Sequence, residues 1–543
     1  MEPEQFTVLG NLAYRSIKNF ARLEDHGFLP EIVLSDPTFN DGWPGDKEGR
    51  VMLAYVLLGR LTHREPAFLD RYYRLLVPSL NQDGYRGPIE PGVADEQGLA
   101  GHNWLMRALL EHHLWKHDSA SMDLARGIVD HLYLPLSGRF ADYPIDPALR
   151  TMEGRASGTL DGKIVCGWKT STDIGCAFIA LDALSQYHQI TRDPRVESLI
   201  DEMIVRFQTI DLVASSMQTH ATLSALRGIL RYGETTGQKG LLDFAICAFE
   251  QYLNLGISEC YANHNWFGRP LWTEPCAIVD SYIVAIELFK RTGQGRYADI
   301  ANRIYHSAFL HAQRANGGFG CDSCVGCGEH PEILRCVIPE AHWCCSMRGA
   351  EGLYAAARNV FHSQGEQLIL IHPIEGIFEA GRLRLQVTSG FPHSGNLCVQ
   401  AERIAGGART LSVYLPSSDG LRVTIDGSET TASFMDHFAT VALPEESRFC
   451  VQLSLPIGLE VRAPINAGTR PDLRSLWHGT LLLATPTDES VIRPLPSPDS
   501  LEYMGQGCYA LDGQPLLFPI ADQIDQEGLK PMQVLFPIGK AHR

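Results

Sequence analysis

Helical periodicity fills the first two thirds of the chain and limits the possible folds more than any other feature. Apolar residues recur at intervals of three and four, as on the buried face of an amphipathic helix. This pattern predicts twelve helices, near residues 8–24, 48–62, 66–79, 98–115, 119–133, 173–190, 194–209, 217–236, 240–254, 276–292, 295–311 and 345–360.

Twelve helices in sequential pairs favour a closed ring of inner and outer helices, an (α/α)6 barrel. In such a barrel, the loops at one end of the inner helices would form the pocket. A superhelical repeat array is the alternative, but the sequence shows no repeat of fixed period. We therefore expect the closed barrel.

The pattern changes near residue 365, where apolar and polar residues begin to alternate, as in 383–387 and 421–425. Such alternation predicts strands, and their number predicts a β-sandwich. The tail is rich in proline, and either adds strands to the sandwich or packs back on the barrel. We therefore expect a multidomain α+β chain with an (α/α)6 barrel at 1–364, a β-sandwich at 365–484 and a C-terminal extension at 485–543.

Composition excludes several classes of partner. The 543 residues include 46 Lys and Arg against 63 Asp and Glu, and the net charge of −17 argues against nucleic acid and against an anionic membrane. No apolar run is long enough to predict a membrane span. The N-terminus shows no secretory signal, so we expect a cytoplasmic location. There the 14 cysteines stay reduced, and clustered cysteines indicate metal binding or catalysis.

Two adjacent cysteines, Cys344 and Cys345, open the last predicted helix. Adjacent cysteines rarely form a disulfide with each other, but neighbouring thiolates can share one soft metal ion. Glu274 and Cys276 open another predicted helix, and the four side chains together make a tetrahedral zinc set. The alternative is that they are unrelated buried cysteines and an ordinary acid.

Four further cysteines lie just upstream of the adjacent pair, at Cys321, Cys324, Cys327 and Cys336. Their spacing fits a second, structural zinc. Some of these thiols could instead replace ligands at the first site, or the segment could be a glycine-rich loop with free thiols.

Three segments, at 271–278 (LWTEPCAI), 293–300 (GQGRYADI) and 343–345 (WCC), resemble the β-L-arabinofuranosidase family, glycoside hydrolase family 127. Residues 81–85, 455–462 and 478–482 are also similar to that family. The resemblance implies an (α/α)6 barrel with β-sandwich domains and a zinc ion held by one glutamate and three cysteines. It also implies a retaining glycosidase whose nucleophile is a zinc-bound cysteine.

Carried over by motif, the resemblance makes Glu274, Cys276 and Cys344 ligands, and Cys345 a ligand or the nucleophile. The motif does not fix which adjacent thiolate attacks, and we choose Cys344. Glu259 is the best match to the family's general acid and base, the alternative being a solvated loop acid.

Three further residues are candidates for sugar binding. His220 matches a family histidine that faces the sugar, whereas a histidine at a helix start is often a core residue. His264 and Trp266 lie between Glu259 and Glu274, where sugar contacts would be useful, although an aromatic residue in a long loop often only packs.

One departure from the family concerns the residues after the cysteine pair. Typical members continue with Pro-Pro-Asn, whereas this chain continues with Ser346, Met347 and Arg348. The pocket wall beside the nucleophile is therefore expected to differ. Arg348 either contacts a carboxylated sugar, or caps a helix or pairs with Glu351, and we favour the second interpretation.

The leading hypothesis is a retaining glycoside hydrolase that releases a non-reducing-end furanose, such as β-L-arabinofuranose, from an oligosaccharide or glycoside. One alternative is a carboxylate-based (α/α)6 sugar hydrolase or epimerase, with Asp83, Asp173 and Glu259 as candidate acids. Another is a non-catalytic carbohydrate-binding protein with a structural zinc. The oligomeric state is open, with a homodimer as one possibility.

Overall fold

The computed structural model describes residues 5–36, 42–150, 160–404, 406–465, 470–523 and 529–539. All twelve predicted helices are confirmed within these ranges. The described α-helices span Gly10–Leu23, Pro30–Leu34, Asp46–Thr62, Leu69–Leu76, Glu96–Lys116, Ser119–Ile128, Ala180–Thr191, Pro194–Phe207, Thr219–Thr236, Lys239–Leu255, Pro275–Thr292, Gly295–Arg303, Leu310–Ala312 and Cys345–Arg358. In this part of the chain, no helix combines the length and the apolar character needed to cross a membrane.

Six of the described helices close a ring. Each packs against the next, and the last packs against the first, in the order Asp46–Thr62, Glu96–Lys116, Ala180–Thr191, Thr219–Thr236, Pro275–Thr292 and Cys345–Arg358. The helices between them in sequence form an outer layer. The closed ring confirms the predicted (α/α)6 barrel and rules out an open array of repeats.

Glycines let the inner helices approach closely. A Cβ atom at Gly49 would lie 2.3 Å from the backbone nitrogen of Leu105 in the neighbouring helix. A Cβ atom at Gly228 would lie 2.4 Å from the carbonyl carbon of Leu181. Backbone cannot yield as a flexible side chain can, so both positions require glycine for this packing.

A β-sandwich follows the barrel, as predicted, and its core lies between two sheets. In sheet order, the larger contains Gln5–Val8, Gly376–Ala380, Leu383–Ser389, Gly395–Arg403, Arg448–Leu455, Arg422–Ile425 and Ser428–Thr430. The smaller contains Ser433–Met435, Phe438–Ala442, Thr410–Tyr414, Gln367–Leu370 and Phe361–Gln364. Gln5–Val8 pairs with Gly376–Ala380, so the start of the chain belongs to the sandwich sheet, which the sequence did not indicate.

A separate sheet completes the chain. It contains Leu459–Arg462, Leu473–His478, Leu481–Pro486, Gln514–Pro519, Cys508–Leu511 and Leu501–Gly505, joined at its side by Met532–Gln533 and Leu535–Pro537. We predicted a sandwich running to residue 484, whereas the pairing places the strands from Leu459 onward in this sheet. Met532–Gln533 also pairs with Ile333–Leu334, so the tail both adds strands and packs on the barrel.

Candidate functional site

A cavity of about 460 Å³ opens at the end of the barrel where inner helices begin. Asp46 and Cys345 are the first residues of their helices, His220 is the second residue of its helix, and Glu274 immediately precedes another. The predicted position of the pocket is therefore confirmed. The cavity is lined by Trp43, Asp46, Arg50, Asp173, Ile179, Gln218, His220, Asn265, Trp272, Glu274, Cys321, Ile338, Ala341, Trp343, Cys344 and Cys345.

Three thiols meet at the wall of this pocket, where Cys276 lies beside the lining residues Cys344 and Cys345. The Sγ atom of Cys345 lies 3.7 Å from that of Cys276 and 3.3 Å from that of Cys344, and all three lie within 4.8 Å of one another. Thiolates bound to one tetrahedral zinc at the usual Zn–S length would be about 3.8 Å apart. Glu274 forms an overlapping group with Cys276 and His220. The structure thus brings together the four side chains predicted as ligands.

Local structure explains why these side chains converge. Pro275 occupies the first position of its helix, which suits its fixed φ angle, and places Cys276 in the first turn. The Oδ1 atom of Asn263 accepts the backbone N–H of Glu274 at 2.7 Å and fixes the residue before that turn. Cys344 precedes the last inner helix and Cys345 begins it. Helix N-termini favour thiolates, because their N–H groups carry partial positive charge.

A buried cation faces the thiol cluster. The Nη1 atom of Arg50 lies 3.6 Å from the Sγ atom of Cys276, and its Nε atom donates to both carboxylate oxygens of Asp46 at 2.9 Å. Burial raises the pKa of Asp46 to about 6, even though Arg50 lowers it. The ion pair therefore positions Arg50 beside the sulfur atoms.

The pKa values of the three thiols are shifted in different directions. Burial raises the pKa of the Cys276 thiol, but the thiols of Cys344 and Cys345 and the charge of Arg50 outweigh burial and bring it well below its usual value. The pKa of Cys344 is raised, chiefly by its contact with Cys276, and burial raises that of Cys345. A metal ion bound to these thiols would favour their ionised forms.

His220 lines the pocket and bridges two carboxylates. Its Nδ1 atom lies 3.4 Å from Oε1 of Glu274, and its Nε2 atom lies 3.4 Å from Oδ2 of Asp280. The ring stacks on Trp104, with centroids 5.8 Å apart. Burial lowers the pKa of His220 to about 4, so the ring is neutral near pH 7. Its position agrees with either sugar contact or support of Glu274.

Arg348 is buried and lies outside the pocket lining. Its side chain is only 1% exposed and forms ion pairs with Asp280 and Glu351. Its guanidinium carbon lies 4.2 Å from the centre of the Trp104 ring, and that of Arg50 lies 4.3 Å from the same ring. The predicted pairing with Glu351 is present, and the position of Arg348 outside the pocket lining does not support a contact with a carboxylated sugar.

The structure places Glu259, His264 and Trp266 outside the pocket lining. The Oε2 atom of Glu259 accepts the backbone N–H of Ile465 at 2.8 Å, just after the strand Leu459–Arg462 of the last sheet. His264 and Trp266 are buried, at 5% and 1% exposed. Their catalytic and sugar-binding roles stay predictions, and their positions do not support them.

His264 contacts a thiol instead, because its Nε2 atom lies 3.7 Å from the Sγ atom of Cys327. Trp266 packs edge to face on Trp272, which does line the pocket. Asp83, a candidate acid of the carboxylate-based alternative, lines a different cavity.

The four upstream cysteines do not converge. Cys321 lines the main pocket and contacts the thiol of Cys345. Cys324 donates to the carbonyl oxygen of Asn263 at 3.7 Å. Among the described residues, neither group of possible metal donors contains Cys321, Cys324, Cys327 or Cys336. The second zinc site stays a prediction, and the positions of these residues do not support it. Cys321 and Cys336 lie on two short paired strands, Cys321–Asp322 and Cys336–Ile338, and the four thiols have different neighbours.

Sequence reasoning missed Asp46, Arg50, Asn265 and three tryptophans of the pocket, Trp43, Trp272 and Trp343. The Asp-to-Arg spacing of four residues at a helix start was a visible signal for the first pair. Asn265 lies in a loop, and its Oδ1 atom is buried with no hydrogen-bond partner among the described residues. Such an atom is available to accept a ligand hydroxyl group.

Comparison with known proteins places this pocket in a familiar architecture. No family model and no curated sequence matches the chain. Among solved structures, a GH127 β-arabinofuranosidase shares 13% identity, with a TM-score of 0.71 and coverage of 99% of this chain and 98% of its own. The chain has the fold of a GH127 enzyme.

Two further structures agree. The GH127 β-L-arabinofuranosidase Ara127N from Geobacillus stearothermophilus T6 shares 13% identity, with a TM-score of 0.69 and coverage of 98% of this chain and 100% of its own. A protein described as a glycoside hydrolase also shares 13% identity, with a TM-score of 0.71 and coverage of 98% and 96%. The TM-scores near 0.7 over nearly the whole length of each chain establish the common fold.

Proposed function

We propose that this protein is a retaining glycoside hydrolase that releases a non-reducing-end furanose, such as β-L-arabinofuranose, and that Cys344 is its nucleophile. The observation that carries the proposal is the cluster of three thiols and a carboxylate at the N-termini of two inner helices, in a barrel with the GH127 fold. The structures with which the chain shares that fold are described as β-arabinofuranosidases.

The donor set fits a zinc ion. Thiolate-rich ligation selects zinc over magnesium or calcium, and the sulfur separations are near those of a tetrahedral ion. Glu274, Cys276, Cys344 and Cys345 would hold it, and His220 lies within reach of two of them. A bound zinc ion would keep its thiol ligands ionised and share the charge of the sulfur that takes part in the reaction.

Cys344 is the best candidate nucleophile because it is the least buried of the three thiols. Cys276 and Cys345 are each 0% exposed, whereas Cys344 is partly exposed; Cys344 and Cys345 both line the cavity. A thiolate that displaces the leaving group at the anomeric carbon forms a covalent glycosyl-enzyme, and water then displaces the sulfur. Two displacements retain the configuration of the sugar.

The remaining pocket residues can position a sugar. Trp43, Trp272 and Trp343 provide flat apolar faces, and the amide of Asn265 provides a free acceptor for a hydroxyl group. A cavity of about 460 Å³ accommodates a terminal sugar rather than a long chain. This arrangement suits cleavage at a non-reducing end.

The test is a panel of 4-nitrophenyl furanosides and pyranosides, with product configuration followed by NMR. We expect cleavage of the β-L-arabinofuranoside with retention, loss of turnover in Cys344→Ser, and loss on treatment with a zinc chelator. Cys336→Ser is the matched control, because that thiol lies outside the pocket. Turnover that survives both Cys344→Ser and the chelator would instead favour a carboxylate-based enzyme. A protein that cleaves no glycoside, yet unfolds when its zinc is removed, would favour a binding protein.

A further inference from the structure

The proposed reaction needs a proton donor in the cavity that contains the Cys344 thiol. A retaining glycosidase protonates the leaving oxygen with a carboxyl group, and the same group later activates water. Such a group must come within hydrogen-bond distance of the glycosidic oxygen. Glu259 lies outside the pocket lining and accepts a backbone N–H from Ile465. The proton donor must therefore be found among the carboxyl groups that do line the pocket.

Among the described residues, three carboxyl groups line the pocket, those of Asp46, Asp173 and Glu274. Glu274 lies with Cys276 and His220 in a group of possible metal donors. As a metal ligand, Glu274 would stay ionised and could not donate a proton to the leaving group in each catalytic cycle. Two candidates remain.

Asp46 is the weaker of the two. Both of its oxygens accept hydrogen bonds from Nε of Arg50 at 2.9 Å, within a pair whose side chains are each 5% exposed. Moving a proton onto this carboxyl group would remove the carboxylate partner of the buried Arg50 cation and leave that cation beside the Cys276 sulfur, which is costly in a poorly solvated site. The pair is better suited to holding Arg50 against Cys276.

Asp173 lines the cavity, and hydrogen bonds hold its backbone in place. It precedes the 3-10 turn Cys176–Ile179 that leads into an inner helix. Its N–H donates to Oγ of Ser171 at 3.1 Å, and its carbonyl oxygen accepts the N–H of Cys176 at 3.1 Å. The residue is 6% exposed and lines the same cavity as Glu274, Cys344 and Cys345. Asp173 therefore faces the same space as the metal donors.

We propose that Asp173 is the general acid and base of this pocket, an inference that rests on the proposed glycosidase function. In the first step, the sulfur of Cys344 forms a bond to the anomeric carbon as the bond to the glycosidic oxygen breaks. The electron pair of that bond stays on the oxygen, which takes the proton of Asp173 and leaves as an alcohol. In the second step, Asp173 removes a proton from water as its oxygen attacks the same carbon, and the electron pair of the carbon–sulfur bond returns to Cys344.

The test compares substrates that differ only in how much they need protonation. Asp173→Asn should lower kcat/KM for an alkyl furanoside by about 10²–10⁴-fold. The first step on a 2,4-dinitrophenyl furanoside, whose leaving group needs no proton, should change little. Its second step should slow, so that mass spectrometry detects the sugar attached to Cys344. Azide should restore turnover and give a glycosyl azide, because it attacks without a general base.

Asp46→Asn and Glu259→Gln are the matched controls, and neither should show a loss that depends on the leaving group. The inference is overturned if Asp173→Asn loses the same factor on both substrates and azide has no effect, or if the leaving-group dependence appears in either control. Asp173→Glu guards against a folding defect, since it keeps the carboxyl group and should recover part of the activity on the alkyl substrate. A wild-type protein that cleaves neither substrate overturns the proposed function itself.

Discussion

Replacing Arg348 by methionine should strongly destabilise the barrel. Arg348 pairs with Asp280 and Glu351 in the centre of the ring of inner helices, where its side chain is 1% exposed. The surrounding ion pairs involve Arg107, Arg227, Arg231, Asp182, Asp280 and Glu351. Methionine keeps much of the volume but removes one positive charge, so Asp280 and Glu351 lose a partner that water cannot replace.

The expected cost follows from the burial of this network. Removing one partner of a buried ion pair typically costs about 3–5 kcal/mol, because the other charge stays in a poorly solvated site. Asp280→Asn should cost a similar amount, since its carboxylate also serves Arg227 and Ser224. In the double variant Arg348→Met/Asp280→Asn the lost charges cancel. Its cost should therefore be close to that of one single change, which leaves a coupling free energy of about 3–5 kcal/mol.

Urea unfolding of the three variants, followed by tryptophan fluorescence, measures these free energies. Arg384→Met is the matched control, because Arg384 is 60% exposed and its pair with Glu379 lies on the sandwich surface, so its midpoint should stay that of the wild type. Strictly additive losses in the double variant, or an Arg348→Met midpoint equal to that of the control, would refute the account of a mutually dependent buried network.

Three further changes test other parts of the account. Asn265→Ala should lower kcat/KM for the arabinofuranoside about 5- to 100-fold through loss of one hydrogen bond to the sugar, while the free energy of unfolding stays unchanged. An unaltered kcat/KM would show that Asn265 does not bind the sugar. Gly49→Ala should destabilise the protein by about 1–3 kcal/mol, because the added Cβ atom overlaps the backbone of the neighbouring helix. Gly240→Ala is the control and should be neutral or stabilising, because open space surrounds Gly240. Equal urea midpoints for the two variants would contradict the close packing at Gly49. Burial lowers the pKa of His102 to about 4, below the 6.5 of the unfolded chain. The unfolded state therefore binds more protons between these values, and stability should fall as pH falls through this window, by up to about 1.4 kcal/mol per pH unit for this residue. His102→Gln should flatten that slope in pH-dependent urea unfolding and exposed His117→Gln should not.

Local sequence was sufficient to predict the barrel, because each inner helix carries a dense apolar pattern with recognisable ends. The helix Asp46–Thr62 is buried along nearly its whole length, and its predicted start at 48 differs by two residues. The last sheet was harder to predict. Leu459–Arg462 alternates like a sandwich strand, and only its pairing with Leu473–His478 assigns it to a different sheet.

The candidate site shows the same division between local and distant information. The pairs Glu274 with Cys276 and Cys344 with Cys345 each stand at a helix start, so their spacing alone placed them at the same end of the barrel. Arg50 reaches the cluster from a helix far away in sequence, which no local pattern reveals.

Glu259 was assigned as the best match to a loop motif of the family, but a local motif does not determine where a loop packs. A Cβ atom at Gly326 would lie 2.7 Å from Cγ of Glu259, so that loop closes directly over the side chain. The contacts with Gly326 and Ile465 hold the carboxyl group away from the pocket lining. The tertiary packing of two distant segments therefore decides its position.

Metal content per chain tests the central claim most directly. Elemental analysis of the wild type should find one zinc ion, and the double variant Cys344→Ala/Cys345→Ala should contain none. The matched variant Cys324→Ala/Cys336→Ala should retain the metal, because those thiols lie outside the cluster. Zinc unchanged in the first variant and lost in the second would place the metal elsewhere and contradict a cysteine nucleophile held at this site.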